Sequence, residues 1–380
     1  MDFDLTPDQV SLRRTMREFA EAEMKPHVME WDEAQHFPPG ILRSLGELGA
    51  LGVIFSEDLG GADLGYIDYA VIVEELARVD PSIALSLAAH VSLATNHIYL
   101  HGTDEQRNKY IPKLAAGEWI GCWSLTESEA GSDAAGTRTT AVVDGEDWLL
   151  NGSKTFTTNA HVADLCVAMA VTDPREEKPG ISAFVVEKST PGFRAGRKEN
   201  KLGMRASDTG EMIFSNCRLG QDQLLGTRGS GFVDAMKVLD GGRISIAALS
   251  VGLAQGAYEA ALAYSKQRHQ FGKAIAEFQA IRHKLADMAT EIEAARLLTY
   301  QAAAMLNQEK RVTKQSSMAK LYASEMAVRV ANEALQVHGG YGFIKDYPVE
   351  KFYRDVKLLT IGEGTSEIQR LIIARQILGE

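Results

Sequence analysis

Apolar residues fall at helical spacing through the first and last thirds of the chain and in short alternating runs through the middle. Such a change of period separates helix-built from sheet-built regions. The first helix starts at Thr6-Pro7-Asp8-Gln9. Thr6 is a suitable N-cap, proline fits the first helical position, and Gln9 completes a capping box. Leu5 and Val10 stand at the positions of a hydrophobic staple. The spacing predicts further helices over 38–49, 67–79, 82–101 and 104–116, with Gly102 ending one and Thr103 capping the next.

After Gly117 the pattern predicts strands over 120–125, 138–143, 148–150, 154–158, 165–172, 181–187 and 211–214. Asp144-Gly145 and Asn151-Gly152 read as hairpin turns. Long helical patterns return over 231–267, 278–307, 313–337 and 365–378. In the second of these, Ile281, Leu285, Met288, Ile292 and Ala295 form one apolar face. Short connections between long helices indicate an up-and-down bundle. The predicted fold class is α+β in three domains: helical 1–117, mostly antiparallel β 118–229, and a four-helix bundle 230–380.

Composition adds bounds. The 380 residues are 45% apolar and 24% charged, which suits a soluble globular protein and excludes a disordered or collagenous one. Lys plus Arg is 40 and Asp plus Glu is 51, a net charge of −11. That balance argues against nucleic acid as the main partner, while a few local arginines suffice for an anionic ligand. Cys122, Cys166 and Cys217 form no CxxC pair, so neither a disulfide framework nor a zinc site is expected, and a reducing compartment fits. The acidic start MDFDLTPDQV lacks the apolar core of a secretory signal. Ile244 to Tyr264 is weakly polar but carries Gln255, Glu259 and many small residues, so it reads as a core helix rather than a membrane span.

Common catalytic fingerprints are missing: no GxGxxG follows a strand, and no Walker loop, HExxH or GxSxG occurs. His97 and His101 are four apart, but their helix offers no carboxylate, so they read as core or surface histidines and no metal is expected. Four other segments carry candidate chemistry. Glu363 lies between Gly362 and Gly364, just before a helix. Buried, it would be a general base with a raised pKa; exposed, it would be an acidic residue favoured by the helix dipole. Thr126 to Asp133 after a strand is either a phosphate-cradling loop or a capped surface loop. Arg268-His269-Gln270-Phe271-Gly272 ends the long helix, where arginine is favourable in any case. Gly339-Gly340-Tyr341-Gly342 follows another helix and would also serve as a C-terminal stop.

In combination these segments resemble the acyl-CoA dehydrogenase family. WSLTESEAGSD is similar to its first signature, and QVHGGYG followed by GEGTSEIQR to its C-terminal one. The resemblance spans essentially the whole chain. It implies FAD bound between the β-domain and the C-terminal bundle, and α,β-dehydrogenation of an acyl-CoA thioester. It further implies that Glu363 takes the α-proton, that hydride passes to the flavin, and that electrons go on to electron-transfer flavoprotein. On the same ground, Trp123, Leu125 and Thr126 lie along the flavin ring, and Ser132 lies near its pyrophosphate and the pantetheine. Phe156 stands where the family usually has tryptophan, and Thr158 matches the hydroxyl near the flavin nitrogen that receives hydride. Arg268, Phe271 and Gln279 match residues that reach the FAD of a neighbouring subunit, which implies a homo-oligomer, usually a tetramer. Gln336, Gly339 and Gly340, with Thr365, Ser366 and Glu367, match the adenosine side.

On the substrate side, Asp240 and Arg243 match a segment that meets CoA, and Gly362 and Gly364 flank the base. Some branches place the base at the position of Gly242, so Glu363 is the motif-matched base here. Gly362 replaces a tyrosine of straight-chain enzymes, and His90 to Asn96 is similar to the isovaleryl-type helix. That pair points to a short acyl chain, with branched or cyclic forms included. Two rivals share the fold: an oxidase delivering electrons to O₂ or a nitroalkane-oxidising relative, and a DNA-associated binding protein. The second is disfavoured by the charge of −11 and by an ending, Ile377-Leu378-Gly379-Glu380, without a basic extension. The expected setting is a bacterial cytoplasm, or a mitochondrial matrix if the source is eukaryotic.

Overall fold

The structure is a computed structural model that describes residues 4–174 and 180–379; the outer ends of the predicted first and last domains lie outside them. The first region holds α1 (Pro7–Phe19), α2 (Val28–Ala34), α3 (Pro39–Glu47), α4 (Tyr66–Ala77), α5 (Pro81–Ala88), α6 (Asn96–His101) and α7 (Asp104–Ala115). The strands β1 (Gly121–Ser124), β2 (Thr140–Asp144), β3 (Asp147–Thr158), β4 (Leu165–Asp173), β5 (Gly180–Glu187), β6 (Phe193–Lys198), β7 (Thr209–Leu219) and β8 (Leu224–Leu225) follow. The last region holds α8 (Gly231–Gln267), the small hairpin β9 (His269–Gln270) and β10 (Lys273–Ala274), then α9 (Gln279–Asn307), α10 (Thr313–His338), α11 (Val349–Asp355) and α12 (Ser366–Leu378). This is a three-domain fold of N-terminal helices, a mostly antiparallel sheet and a C-terminal helical domain.

Local chemistry sets the helix starts. Gln9 N–H donates to Thr6 Oγ1 (3.2 Å) and Thr6 N–H to Gln9 Oε1 (3.1 Å), closing the predicted capping box. Thr103 and Gln106 close a second one at 2.9 and 3.2 Å. A side-chain cap of this kind contributes about 1 kcal/mol. Val10 stays 43% exposed, so the staple position buries little. The predicted helix over 82–101 is interrupted: α5 runs into a π-helical segment, Ala89–Thr95, before α6. There Thr95 Oγ1 donates to the His90 carbonyl five residues back (2.8 Å). Wide turns of this kind collect at functional sites, and this one packs between β1 and α8.

The sheet has the order β6-β7-β3-β2-β4-β5-β8, with β1 parallel beside β4. Asp144-Gly145 does begin a hairpin turn: Asp144 pairs with Asp147 across Gly145, whose φ is 68°. Asn151-Gly152 does not. Both lie inside the continuous strand β3, at a shift of register between Leu150 and Gly152. Gly152 has φ 146°, and a Cβ there would meet Thr139 Oγ1 at 2.4 Å, so close strand approach is what demands glycine. β4 is buried on both faces. Its Leu165, Val167 and Met169 join the main core, while Cys166, Ala168 and Ala170 join a smaller one with Trp148, Phe184 and Phe214. All three cysteines are buried and free.

α8 is the spine of the molecule. α4, α5, α9 and α10 all pack on it, α4 also meets α9, and α12 lies against α10. α8 and the run Pro81–His101 are long and apolar enough to cross a membrane, yet most of each apolar stretch is buried in the protein interior. On α9, Met288, Ile292 and Ala295 are buried, with Ile281 and Leu285 packed at the margin.

Candidate active site

Glu363 sits in a turn between a short 3₁₀ segment, Val356–Thr360, and α12. Its φ is 52° and that of Gly364 is 95°. A left-handed residue other than glycine costs on the order of 1–3 kcal/mol, so the surroundings must hold it. Gln369 Nε2 donates to the carbonyls of Glu363 (3.1 Å) and Gly364 (3.0 Å), and Lys320 Nζ donates to that of Gly364 (2.7 Å). The side chain points at α8. A Cβ on Gly242 would lie 2.3 Å from Glu363 Oε2 and 2.9 Å from Leu93 Cδ2, so the missing side chain at 242 is the space the carboxylate fills.

Glu363 Oε2 is buried and, among the described residues, has no hydrogen-bond partner. Burial raises the carboxyl pKa to about 7, with Lys320 and Arg243 pulling against it. The competing reading of this residue as a helix-start anion is taken by its neighbour. Glu367 is in the first turn of α12, and its own backbone N–H and Thr365 hold its carboxyl below the usual range. Gly362 leaves room, since a Cβ there would find its nearest neighbour, the Leu358 carbonyl, at 3.6 Å.

Arg243 lies deeper than its predicted role requires. It is 4% exposed and pairs with Asp240 at 2.6 Å, while Thr313 donates to the other Asp240 oxygen at 2.7 Å. Burial lowers the guanidinium pKa, and Asp240 and Glu363 oppose that. The side chain therefore faces the base rather than solvent, where a phosphate would meet it. His90 also departs from expectation. It is fully buried, with Gly121 N–H donating to Nδ1 and Nε2 meeting the Leu114 carbonyl, both at 3.0 Å. It bolts the π-helical segment to β1, so its ring is spent on structure.

The β-side residues converge on one another. Lys154 Nζ donates to the Leu125 carbonyl (3.1 Å) and pairs with Glu127 (2.7 Å); Thr155 N–H donates to Thr126 O (2.9 Å). These bonds lay Trp123, Leu125 and Thr126 beside Phe156 and Thr158. Phe156 is 65% exposed at φ 57°, an unusual state for an aromatic residue. Trp123 packs on Ala89, Leu93, Val238 and Leu239, and Leu93 reaches the Gly242–Glu363 contact. The first motif and the base thus face a common apolar cluster. Ser132 is exposed in the loop that follows.

The remaining predicted residues fall along two recesses or outside both. Arg268, Gly339 and Gly340 line a recess of about 520 Å³ with Tyr264, His338 and Tyr341. Thr365, Ser366 and Glu367 line a separate recess of about 420 Å³ with Glu325 and Lys357. Gln279 and Gln336 are exposed and line neither. Phe271 forms the β9–β10 turn with Gly272 at φ 52° and 82°, and is 93% exposed.

Lys320 and Gln369 hold the Glu363 turn but escaped the sequence reading, while His97, read there as a core or surface histidine, and Leu93 of the 90–96 segment both pack with Trp123. His97 Nδ1 accepts from the Trp123 indole at 3.0 Å, and burial, then His101, lower its pKa to about 3, with Asp234 opposing. A carboxylate does reach this histidine pair, Asp234 of α8 at 3.4 Å from His101 Nδ1, but no group of three or more metal-ligating side chains occurs among the described residues. Lys320 carried a signal: it stands on the apolar stripe of α10 with Ala319, Ala323 and Ala327.

Comparison with known proteins completes the picture. Residues 6–118 match the acyl-CoA dehydrogenase N-terminal domain, 122–217 the middle domain and 229–378 the C-terminal domain. A short-chain specific acyl-CoA dehydrogenase of Clostridium acetobutylicum is 45% identical over 99% of this chain and 100% of its own. The structure of butyryl-CoA dehydrogenase from Megasphaera elsdenii superposes with TM-score 0.97 at 41% identity, covering both chains fully. A chain from a structure of the electron transferring flavoprotein of Acidaminococcus fermentans, a study of flavin-based electron bifurcation, superposes with TM-score 0.98 at 44% identity, again over both full chains. A glutaryl-CoA dehydrogenase from Mycobacterium smegmatis in complex with FADH2 gives TM-score 0.94 at 33% identity over 99% of this chain and 96% of that one. The chain belongs to the acyl-CoA dehydrogenase family, a family of oxidoreductases.

Proposed function

We propose that this protein dehydrogenates a short acyl-CoA thioester between its α and β carbons, with Glu363 as the base and FAD as cofactor. The observation that carries the reading is the Glu363 carboxylate, housed in the space left by Gly242 with a pKa near neutrality. A base tuned in this way is about half ionised at pH 7, so it accepts a proton and returns it with similar ease. The Glu363 N–H donates to no acceptor among the described residues. It is free to stabilise the thioester oxygen as enolate character develops.

The residues present fit a flavin. Trp123, Leu125 and Thr126, with Phe156 and Thr158 of β3, offer apolar surface together with hydroxyl and backbone groups. Phe156 and Phe271 are aromatic, exposed and held at positive φ, a strained presentation with a use outside the isolated chain. Bound FAD would supply the acceptor for the β-hydrogen. Glu363 holds the α-proton, the Ala89–Leu93–Val238 cluster excludes water from the carbons, and Arg243 and Lys320 set the charge around the base.

Phe271, Gln279 and Gln336 lie outside both recesses, and the two recesses are separate. That division suits a cofactor shared between copies of the chain, hence a homo-oligomer, a tetramer by family resemblance. Electron-transfer flavoprotein is the proposed acceptor, by the similarity to the Acidaminococcus chain. The short-chain preference now rests on Gly362 and on the short-chain relatives, because His90 is occupied elsewhere.

Anaerobic titration of the flavin-loaded protein with butyryl-, isobutyryl-, isovaleryl- and octanoyl-CoA tests the reading. Bleaching of the flavin is expected, and turnover of the same panel with an added electron acceptor is expected to give the best kcat/KM on a short chain. No bleaching with any thioester would end the proposal, an optimum at octanoyl-CoA would end its short-chain part, and rapid hydrogen peroxide formation in a parallel assay in air would replace the proposed acceptor with O₂.

A further inference from the structure

Among the described residues, three lysines are buried to 1% exposure or less: Lys154, Lys320 and Lys351. Lys154 pairs with Glu127 at 2.7 Å, and Lys351 with Asp80 and Asp355 at 2.8 and 2.6 Å. Lys320 differs. Among the described residues its ammonium forms no ion pair, and its hydrogen bond goes to a carbonyl, that of Gly364. A buried ammonium without a carboxylate partner is costly. The carbonyl alone does not explain it, because Gln369 already donates to the same oxygen at 3.0 Å and carries no charge. What a lysine adds at this place is a positive charge, next to the buried Glu363 carboxylate.

We propose that Lys320 is a positioning residue for Glu363. Its ammonium pins the left-handed Glu363–Gly364 turn through the Gly364 carbonyl, and its charge keeps the buried carboxylate available in ionised form. This rests on the reading of Glu363 as the base. Other groups face the same space: Arg243 of α8, partly neutralised by Asp240; Tyr69 of α4; Glu325 of α10; and Glu367 of α12. Arg243 has a carboxylate of its own within 2.6 Å, so Lys320 is the cation whose charge is left for Glu363. The influence is mutual, since burial lowers the Lys320 pKa to about 8 and Glu363 opposes that most strongly.

The test follows the protonated carboxyl band of Glu363 by difference infrared spectroscopy against pH, the band being assigned by its loss in Glu363→Gln. Flavin-loaded wild type, Lys320→Met, Lys320→Gln and Gln369→Met are compared. Lys320→Gln retains a donor for the carbonyl and serves if Lys320→Met does not fold. In both lysine variants the midpoint is expected to rise by about one pH unit or more, the usual effect of losing a nearby opposite charge. Gln369→Met removes a clamp without removing charge, so its kcat falls while the midpoint stays. An unmoved midpoint in a folded lysine variant overturns the inference. The two readings fail separately. If the band titrates and shifts but no thioester is turned over, Glu363 is not a base for this reaction and Lys320 still sets its charge. If wild type turns over and Glu363→Gln does not, yet the midpoint ignores Lys320, only the lysine proposal falls.

Discussion

Lys351 and Lys320 are both buried lysines, but the clusters around them differ in kind. Around Lys351 the charges pair directly: Asp80 Oδ1 and Asp355 Oδ2 flank the ammonium, Asp355 also accepts the Met204 N–H at 2.5 Å, and Asp80 Oδ2 is left buried with no hydrogen-bond partner among the described residues. Burial alone would lower the lysine pKa, yet the two carboxylates outweigh it and raise it. That cluster ties α5, the loop before β7 and α11 together. Around Lys320 the charges stay apart: Glu363 Oε2 and Arg243 Nε are buried with no hydrogen-bond partner among the described residues. A closed cluster holds a fold, whereas an open one keeps a carboxylate ready for a proton.

The contrast breaks most sharply at Glu363 itself. Glu363→Gln is expected to lower kcat by at least about 10³-fold, since general-base catalysis is lost, while flavin and thioester binding persist. The same change should stabilise the protein at alkaline pH. The folded-state pKa of about 7 lies above the ordinary 4.5, so ionising Glu363 erodes stability as pH rises from one value to the other. Thermal midpoints of variant and wild type should coincide near pH 4 and separate in favour of the variant by pH 8.

Lys351→Met should do the reverse. Stripping the closed cluster of its cation leaves two buried carboxylates and costs about 3–5 kcal/mol, read as a lowered thermal midpoint. In the fraction that stays folded, kcat/KM should be unchanged. A loss of turnover without loss of stability would erase the distinction between the clusters. Gly242→Ala is the gentlest probe of the open one. The new Cβ would meet Glu363 Oε2 at 2.3 Å and push the carboxylate aside. A displacement near 1 Å costs on the order of 10²-fold in kcat, with the flavin spectrum retained.

Much of this was legible in the chain. Thr6 and Thr103 announce their helices because a hydroxyl and a glutamine three residues on close a local circuit that owes nothing to the rest of the fold. α8 matches its predicted span, Gly231 to Gln267, because apolar and small residues persist through all of it. Asn151-Gly152 misled because a glycine demanded by Thr139 across the sheet looks, in sequence, like one demanded by a turn. Glu363 showed itself through its flanking glycines. Its partners did not: Lys320 lies 43 residues away on another helix and Leu93 is carried on a π-helical segment, so only the folded chain brings them together. The partners of the His90 ring were hidden in the same way, since Gly121 and Leu114 lie far from it in sequence.

The central claim is that the buried Glu363 carboxylate removes the α-proton. The rate of flavin reduction by butyryl-CoA, followed anaerobically in single-turnover mixing across pH, tests it most directly. The account predicts a wild-type rate that rises with pH through a midpoint near 7 and a Glu363→Gln rate that is about 10³-fold slower or more, without that rise. A Glu363→Gln protein that bleaches at a rate close to wild type, or with the same pH midpoint, would contradict it.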